Sequence, residues 1–437
     1  MPSPTMTTTA RERLTQTINH IEPDRLCVDF GAGGQTGIGA GSVRRLRKVL
    51  IPGADDRVRI IEPFQMLGEV DPQLQDALHL DVIGIPTPSD MLGLSGPCDQ
   101  SFTMCDGTVA KMPSDFRSRI DPDGNTYAYP QGDESVAPSV VMPRGGYFFD
   151  ATDRQLPFEK EDLDPADHFG DFGLLSEEDL EYYHQKVGHA HNQTERGIYV
   201  TIGGLGFGDI ALVPATWRKE TPGIRNVEQW FMSPLIRPGF VHAIFEKQLE
   251  IGLKNIDLLA NTLGDKVQVA FITGTDFGTQ NSLFISKESY REFFKPYHKV
   301  VCDKIHAVTN WKTFIHSCGA IIDLIPDFIE AGFDILNPVQ CSATGMDPQQ
   351  LKREFGKEIV FWGGGVDTQQ TLPFGTPEEV YREVRERIDI FAPGGGFVFN
   401  SIHNVQSDVP TPNLLAMFRA LNDARNLDFP EITSAFQ

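Results

Sequence analysis

The sequence has no run of 18 apolar residues, so no membrane-spanning helix is expected. Its first stretch, MPSPTMTTTARERLTQ, lacks the apolar core of a secretory signal. A regular cysteine spacing is also missing, which favours free or metal-bound thiols over a disulfide framework. The six cysteines are Cys27, Cys98, Cys105, Cys302, Cys318 and Cys341. Together these features predict a protein of a reducing, cytoplasmic compartment.

Basic residues are scarce relative to acidic ones. The 437 residues include 38 Lys and Arg against 60 Asp and Glu, which gives a formal net charge of -22. Nucleic-acid binding needs a basic surface, so nucleic acid is not expected as a partner. Ten carboxylates fall within residues 159–181 against one lysine, and this acidic segment is expected to be solvated.

Nucleotide-binding motifs are absent as well. The glycine-rich stretches GAGGQTGIGAG (31–41) and GGLGFGD (203–209) each follow a predicted strand, but neither fits G-x-G-x-x-G with an acidic residue about 20 positions on. No G-x-x-x-x-G-K-[ST] occurs. Arg44, Arg45 and Arg47 follow the first stretch and either meet carboxylates at a barrel mouth or form a solvated helix face.

What the sequence does contain is an alternation of buried strands and helices. The strands are predicted in RLCVDFG (25–31), LDVIGIP (80–86), GIYVTIGG, KVQVAFITG, WKTFIHSCG, FDILNPVQ, EIVFWGGG and GFVFNS. Because parallel neighbours need crossover connections, this alternation predicts an α/β fold with a closed (β/α)₈ (TIM) barrel, and a doubly wound sheet is the rival. We expect one domain over 1–437, with first barrel units in 12–95, an irregular acidic insertion in 100–195 and the main barrel body in 196–422.

Chemistry-bearing residues stand where these strands end, which is where a βα barrel forms its active site. They are Asp276, His316, Cys318, Cys341, Asp367 and His403. Several have a simpler structural interpretation. Asp276 is a candidate catalytic group or a turn aspartate, and Asp367 either faces the mouth or orders the following loop. The alternatives for His403 are a catalytic acid or base, a group that binds a substrate carboxylate, or a histidine that caps a loop.

His316 and Cys318 are two positions apart, so both side chains leave the same face of a strand, about 6 to 7 Å apart at Cα. An imidazole and a thiolate at that spacing suit two ligands of one zinc ion. Cys341 follows at the end of the next strand and can complete a Cys₂His set with an open fourth position. The alternative is a small buried thiol beside a hydrogen-bonded histidine.

The sequence resembles the uroporphyrinogen decarboxylase (URO-D) superfamily over 196–422, and more weakly over 12–95. The stretches that carry the resemblance are TGTDFGTQNSLFISKESYREFFKPYHK, FIHSCGAIIDLIPDFIEAGFDILNPVQCSATGMDPQQLKREFG, VFWGGGVDTQQTLPFGTPEEVYREV and GGGFVFNSIHNVQSDVPTPNLLAMFRA. The resemblance implies a (β/α)₈ barrel with one of two chemistries. One is cofactor-free decarboxylation of a tetrapyrrole, and the other is zinc-dependent methyl transfer to or from a corrinoid protein.

The H-x-C-G at 316–319 is similar to the zinc-ligand pair of the methyltransferase branch. In that branch the third zinc ligand is a cysteine in a PGCG-like context near the last strand. The corresponding stretch of this chain, FAPGGGFVF, contains no cysteine, so Cys341 or His403 would have to supply the third ligand. The R-Q-A-G-R motif of the decarboxylases is missing, although His403 in NSIHN stands where their substrate-contacting histidine does. The resemblance therefore favours a zinc/corrinoid-linked methyltransferase, with a decarboxylase acting on a tetrapyrrole or other polycarboxylate as the alternative.

The roles implied for this chain follow from that choice. Zinc is assigned to His316, Cys318 and Cys341, and catalysis to Asp276 and His403. Substrate binding is assigned to Gln280, Gln340 and Asp367, which stand in the matching stretches. The expected partners are a small-molecule methyl donor or acceptor and a protein that carries a corrinoid (cobalamin). A homodimer is one state that the resemblance allows.

Overall fold

A computed structural model describes residues 8–159 and 163–429 of the chain. Eight parallel strands form one sheet in the order β2–β3–β4–β5–β6–β7–β8–β1, which curves round into a nearly closed barrel. The strands are β1 (Cys27–Val28), β2 (Val82–Ile85), β3 (Gly197–Thr201), β4 (Val269–Thr273), β5 (Lys312–His316), β6 (Ile335–Asn337), β7 (Val360–Trp362) and β8 (Phe397–Phe399). The predicted (β/α)₈ barrel is confirmed, because each strand lies beside its neighbour in the sequence and none shows the strand reversal of a doubly wound sheet.

Helices follow the strands and cover the outside of the barrel. They are α1 (Ala10–Ile18), α2 (Ala40–Leu50), α3 (Pro72–Ala77), α4 (Glu177–Gln193), α5 (Val227–Ile236), α6 (Pro238–Leu263), α7 (Lys287–Phe293), α8 (Lys295–Val308), α9 (Ile325–Ala331), α10 (Pro348–Phe355), α11 (Thr371–Phe374), α12 (Pro377–Phe391) and α13 (Thr411–Ala424). Among the helices of the described residues, none is both long and apolar enough to cross a bilayer.

Large side chains fill the inside of the barrel. Tyr199 and Phe314 meet edge to face with ring centroids 5.3 Å apart, and Trp362 lies 5.5 Å from Phe314. Leu14 and Ile18 of α1 belong to the same buried cluster, so this helix closes the end of the barrel at which the strands begin. With its interior packed and that end closed, the barrel has space for a site only at the carboxyl ends of its strands.

The barrel closes between β1 and β2 through a single residue, Asp81. Its backbone N–H donates to the carbonyl of Val28 (2.9 Å), and its carboxylate accepts from the Val28 N–H (2.9 Å). The same carboxylate pairs with Arg13 at 2.6 Å and with Arg425 at 2.9 Å, and all three side chains are buried. One residue therefore joins the two strands with its backbone and its side chain, and its carboxylate is neutralised by two guanidinium groups.

The long excursion between β2 and β3 contains short strands, 3₁₀ turns and α4. One small sheet joins it to the segment after β1, and a second lies within it. The strands of the two sheets are Ile38–Gly39, Val58–Glu62, Leu67–Gly68, Cys98–Thr103 and Val109–Pro113, then Ser118–Ile120, Thr126–Ala128, Val140–Met142 and Asp150–Ala151. Within the described residues, 3₁₀ turns lie at Pro130–Gly132, Pro165–Asp171, Gly264–Lys266 and Ile322–Leu324.

One carboxylate of the acidic segment is tied into the fold, whereas most of the others that the structure describes are exposed. Asp171 pairs with Arg218 at 2.8 Å and with Arg225 at 2.7 Å, which ties the 3₁₀ turn at Pro165–Asp171 to the loop after β3. Ser176 then caps α4, where the carboxylates of the first turn suit the helix dipole. Residues 160–162 of this segment lie outside the described part.

The arginines after the first glycine-rich stretch lie on α2 and pair with carboxylates of the same chain. Arg44 contacts Asp56 at 2.7 Å and Arg47 contacts Asp71 at 3.0 Å. Arg45 hydrogen-bonds the carbonyls of residues 407 and 409 and lies 3.8 Å from a carboxylate oxygen of Asp106. These contacts hold α2 against its surroundings.

Replacing Asp81 tests its role in joining β1 to β2. We expect Asp81→Asn to lower the free energy of unfolding by about 3–5 kcal/mol, because the buried Arg425 loses its counter-charge and Arg13 keeps only its contact with Asp24. Asp76→Asn is the matched control, since Asp76 also pairs with an arginine at 2.6 Å but its side chain is 75% exposed. Its effect should stay below about 1 kcal/mol. Urea unfolding measures the free energy of unfolding of both variants. Equal decreases in the two would contradict a special role of Asp81 in joining β1 to β2.

Candidate functional site

The loops that follow β4 and β5 touch each other at the mouth of the barrel. A Cβ on Gly278 would lie 2.8 Å from the Cys318 carbonyl oxygen, and one on Gly319 would lie 2.4 Å from the Gly278 carbonyl carbon. Gly319 also has a φ of +95°, which favours glycine. The glycines on both loops therefore let the chain bring Asp276 next to Cys318, whose N–H donates to the Asp276 carboxylate at 2.7 Å.

Three possible metal ligands meet above this contact. Ligand atoms of His316, Cys318 and His403 all lie within 4.8 Å of one another. The Cys318 Sγ is 3.4 Å from His316 Nε2, and the two imidazole rings are 5.3 Å apart at their centroids. Around a tetrahedral zinc, with bonds of about 2.0 Å to nitrogen and 2.3 Å to sulfur, neighbouring ligand atoms are separated by about 3.5 Å. The donor set and its spacing therefore fit zinc.

Asn337, at the end of β6, orients His316. The Asn337 amide nitrogen donates to the Trp362 carbonyl at 2.8 Å, so its side-chain oxygen faces His316 Nδ1 at 2.6 Å. Nδ1 therefore carries the proton and donates it, which leaves the lone pair on Nε2 directed toward Cys318. Asn337 is completely buried, so it holds the imidazole in one orientation.

The protonation states of the three groups also suit a metal. Burial lowers the pKa of His316 and of His403 to about 4, so both rings are neutral at pH 7. Burial and the nearby Asp276 raise the pKa of the Cys318 thiol well above its usual value. The free site therefore holds a protonated thiol, and a metal that binds there would displace that proton.

Asp276 places a carboxylate beside the cluster. Its Oδ1 lies 3.9 Å from His316 Nε2, and its side chain is 29% exposed. Burial raises its pKa, and the hydrogen bond from Cys318 acts in the opposite direction. On its other side Asp276 borders a narrow slot whose walls are apolar and aromatic. The slot is lined by Gly208, Trp230, Phe231, Pro234, Thr275, Asp276, Phe277, Ile285 and Phe294.

Asp209 is a second carboxylate that the sequence analysis missed. It ends the glycine-rich stretch after β3 and is only 8% exposed. Its Oδ2 packs against Gly274 of the β4 loop, two residues before Asp276, and its Oδ1 accepts from the Ala211 N–H at 3.0 Å. Burial, assisted by the charge of Asp276, raises the pKa of Asp209 to about 7. The stretch GGLGFGD does not fit a nucleotide motif, but its acidic residue follows a predicted strand, which is the signal that points to it.

Cationic side chains are missing from this cluster. Within residues 8–159 and 163–429, no Lys or Arg hydrogen-bonds or pairs with the side chains of Asp209, Asp276, His316, Cys318 or His403. No Lys or Arg contributes to their pKa shifts either. The charged groups that act on this part of the mouth are carboxylates.

Cys341, the expected third zinc ligand, is not part of the cluster. Its Sγ lies 3.5 Å from the position that a Cβ on Gly364 would occupy, on the side of the loop after β7. Burial raises the pKa of this thiol to about 12. The chain turns after β6, so the residue at position 341 no longer has the orientation that the strand would give it. The third ligand that the geometry offers is His403.

The three residues expected to bind substrate make contacts within the protein. The Gln340 Oε1 accepts from the Gly319 N–H at 2.8 Å, and its amide donates to Gln280 at 3.0 Å. These glutamines therefore support the loop that carries Cys318. Asp367 accepts from the N–H groups of residues 369 and 370, as an aspartate that orders the following loop does.

Comparison with known proteins finds similarity to proteins with two different activities. The uroporphyrinogen decarboxylase (URO-D) family model matches residues 223–424. A methylated-thiol–coenzyme M methyltransferase from Methanosarcina mazei is 29% identical over 143 residues, which is 33% of this chain and 35% of the relative. A uroporphyrinogen decarboxylase from Magnetococcus marinus is 23% identical over 145 residues, or 32% of this chain and 38% of the relative. The chain thus matches little more than a third of the length of either relative.

Structural similarity covers more of the chain than these sequence matches do. A solved methyltransferase from Methanosarcina mazei superposes on 95% of this chain and on 99% of its own, with a TM-score of 0.53 and 14% identity. At that identity the likeness concerns the barrel and not the chemistry.

Zinc content distinguishes the two candidates for the third ligand. We expect His403→Ala and Cys318→Ser to lose most of the bound zinc, whereas Cys341→Ser should retain about as much as the unmodified chain. Elemental analysis of the purified proteins gives the ratio of zinc to protein. The opposite pattern, with zinc lost from Cys341→Ser and kept in His403→Ala, would restore the original assignment.

The role of Asn337 can be measured as metal affinity. Asn337→Leu removes the acceptor for His316 Nδ1 and should weaken zinc binding by about 10–100-fold. Asn337→Asp retains an acceptor oxygen and is expected to bind at least as tightly as the unmodified chain. Competition with a chromophoric chelator reports both affinities, and circular dichroism checks the fold. A folded Leu variant with unchanged affinity would remove Asn337 from the site.

Proposed function

This chain belongs to the uroporphyrinogen decarboxylase superfamily, and from that premise we propose that it is a methyltransferase with a zinc centre. In this proposal it moves a methyl group between a small-molecule thiol and a corrinoid carried by a partner protein. The observation that carries the proposal is the convergence of His316, Cys318 and His403 at the mouth of the barrel. The sequence similarity to a methylated-thiol–coenzyme M methyltransferase supports the same class of reaction.

Each residue of the mouth has a defined task in this proposal. His316, Cys318 and His403 would hold zinc, and Asn337 would fix the orientation of His316. When bound, zinc would act as a Lewis acid that lowers the pKa of a substrate thiol at the open fourth position. Asp276 is the carboxylate next to that position, and it is partly exposed, so it can accept the proton that the thiol loses.

The transfer itself needs little from the protein beyond placement. In such a transfer the thiolate sulfur would supply the electron pair for the new S–C bond, and the pair of the broken Co–C bond would remain on the corrinoid. The proton of the thiol goes to Asp276 and then to solvent. Since the interior of the barrel is packed below the site, the corrinoid has to approach from the open mouth.

The decarboxylase alternative fits this mouth less well. A tetrapyrrole with several carboxylates requires cationic side chains to bind it, yet in the described ranges the cluster is influenced only by acidic and imidazole groups. The similarity to a uroporphyrinogen decarboxylase keeps this reaction as an explicit outcome of the test.

Methyl transfer can be assayed with free methylcobalamin in place of the partner protein. We expect the zinc-loaded chain to demethylate it in the presence of a small thiol, which the visible spectrum of the corrinoid reports. Cys318→Ser should reduce the rate by at least about 100-fold, while Cys341→Ser should stay near the unmodified rate. Equal activity of the two variants, or release of CO₂ from uroporphyrinogen without methyl transfer, would contradict the proposal.

A further inference from the structure

We propose that the glycine-rich stretch at residues 31–41 holds the loop that carries His403, and that Asn404 is the positioning residue of this contact. The inference rests on the proposed function, because it takes His403 as the third metal ligand. It deepens that function by naming the segment and the side chain that place this ligand in the cluster. The stretch fits no nucleotide-binding motif, and Asn404 directly follows His403 in the sequence.

The glycine-rich stretch pairs with the backbone of the loop after β8. The Val405 N–H donates to the Gly37 carbonyl at 3.0 Å, and the Gly39 N–H donates to the Val405 carbonyl at 2.7 Å. These two bonds make a parallel bridge between the segments. The Gly41 N–H adds a bond to the Ser407 Oγ at 3.1 Å. Three contacts in succession therefore fix the loop after β8 along the stretch.

The two segments lie too close together for a side chain at Gly39. A Cβ there would lie 2.6 Å from the Ser407 Oγ and 2.8 Å from the Ser407 backbone nitrogen, and a rotamer change cannot move a backbone atom. A Cβ on Gly34, in the same stretch, would have its nearest neighbour at 3.8 Å, the amide nitrogen of Gln65. Glycine is therefore needed at position 39, where the stretch meets the loop after β8, and not at position 34.

Asn404 joins the same two segments with its side chain, which is only 1% exposed. Its Oδ1 accepts from the Gly37 N–H at 2.6 Å, and its Nδ2 donates to the Gly34 carbonyl and to the Gln65 Oε1, both at 2.7 Å. The Gln65 Nε2 donates to the same Gly34 carbonyl at 3.0 Å. Because a backbone N–H only donates and a carbonyl only accepts, the Asn404 amide has one possible orientation. An apolar side chain at this position would leave these buried groups without partners.

The place of His403 in the cluster depends on its backbone. Its ring lies 5.3 Å from that of His316 between centroids. Asn337 holds the His316 ring, whereas within the described residues no side chain hydrogen-bonds the ring of His403. The Ser401 hydroxyl donates to the His403 carbonyl, and Asn404 fixes the chain at the next residue. The hydrogen bonds of Asn404 therefore do for His403 what the Asn337 side chain does for His316.

The cobalt(II)-loaded full chain reports the position of His403, because the visible absorption of cobalt depends on its ligands. We expect Asn404→Leu to weaken cobalt binding by about 10–100-fold and to give the spectrum of His403→Ala, since both would leave one imidazole out of the site. The charge-transfer band from Cys318 to cobalt should remain in both variants, which a general loss of structure would not allow. Asn404→Asp keeps the acceptor for the Gly37 N–H and should lie between Asn404→Leu and the unmodified chain. A folded Asn404→Leu with the unmodified spectrum overturns the inference.

Asn413→Leu is the matched control. Asn413 is 2% exposed, and its Nδ2 donates to the carbonyls of residues 372 and 375, both at 2.8 Å. It joins two segments as Asn404 does, but it lies on α13 and contacts the chain around α11. We expect this variant to be less stable while its cobalt affinity and spectrum stay those of the unmodified chain. The same spectral change in both asparagine variants would show a general effect and overturn the inference.

Two glycines of the stretch give a second comparison. Gly39→Ala should change the cobalt affinity and spectrum in the same direction as Asn404→Leu, because its Cβ would push Ser407 away. Gly34→Ala should leave both unchanged, since the added Cβ has room. Equal effects of the two alanines would contradict the role of the stretch.

Failure of the proposed function gives a different result. If the unmodified chain does not bind cobalt, the metal site is wrong, and the contact made by Asn404 is then tested on the metal-free chain. Asn404→Asp should speed hydrogen exchange of the Gly39 and Val405 amides by about tenfold, because the segments separate more often. Unchanged exchange overturns the inference whether or not metal binds. If Asn404→Leu does not fold, Asn404→Asp and the two alanine variants decide the question.

Discussion

The buried carboxylate of Asp81 is the interaction on which the rest of the architecture depends. Seven of the eight strand junctions are made by backbone ladders, and the junction of β1 and β2 is made through this residue. Its charge is tolerated because Arg13 and Arg425 flank it in a site that excludes water. A closed sheet brings the end of β8 within reach of the end of β5, and only then can His403 meet His316.

Positioning at the mouth comes from close contacts that leave little freedom. Gly278 and Gly319 allow two loops to approach within the distance at which a side chain would clash. That approach fixes the hydrogen bond from Cys318 to Asp276, and the Gln340 side chain holds Gly319 from the other side. The cluster is therefore shaped by the backbone of the loops as much as by its own side chains, which is the arrangement that a preorganised metal site requires.

The sequence predicted the parts of the structure that depend on local rules. The alternation of strands and helices predicted the barrel, and the spacing of His316 and Cys318 predicted that their side chains would lie close together. The sequence did not predict the orientation of side chains outside the strands and helices. Strand periodicity assigns a face only within a strand, so it could not tell that Cys341 would turn away. Asp209 and Asn337 carry no motif, and their roles follow from contacts between segments distant in sequence.

Charge balance limits which protonation states the metal site can hold. Two positive charges of zinc would be compensated by the Cys318 thiolate and by the thiolate of a substrate, since both imidazoles are neutral. The carboxylates of Asp209 and Asp276 accept backbone N–H groups but would have no cationic partner within the cluster, so one of them would have to bind a proton. Since burial raises the pKa of Asp209 to about 7 and Asp276 is partly exposed, Asp209 is the carboxyl that would hold this proton, and Asp276 stays free to accept the proton of the substrate thiol.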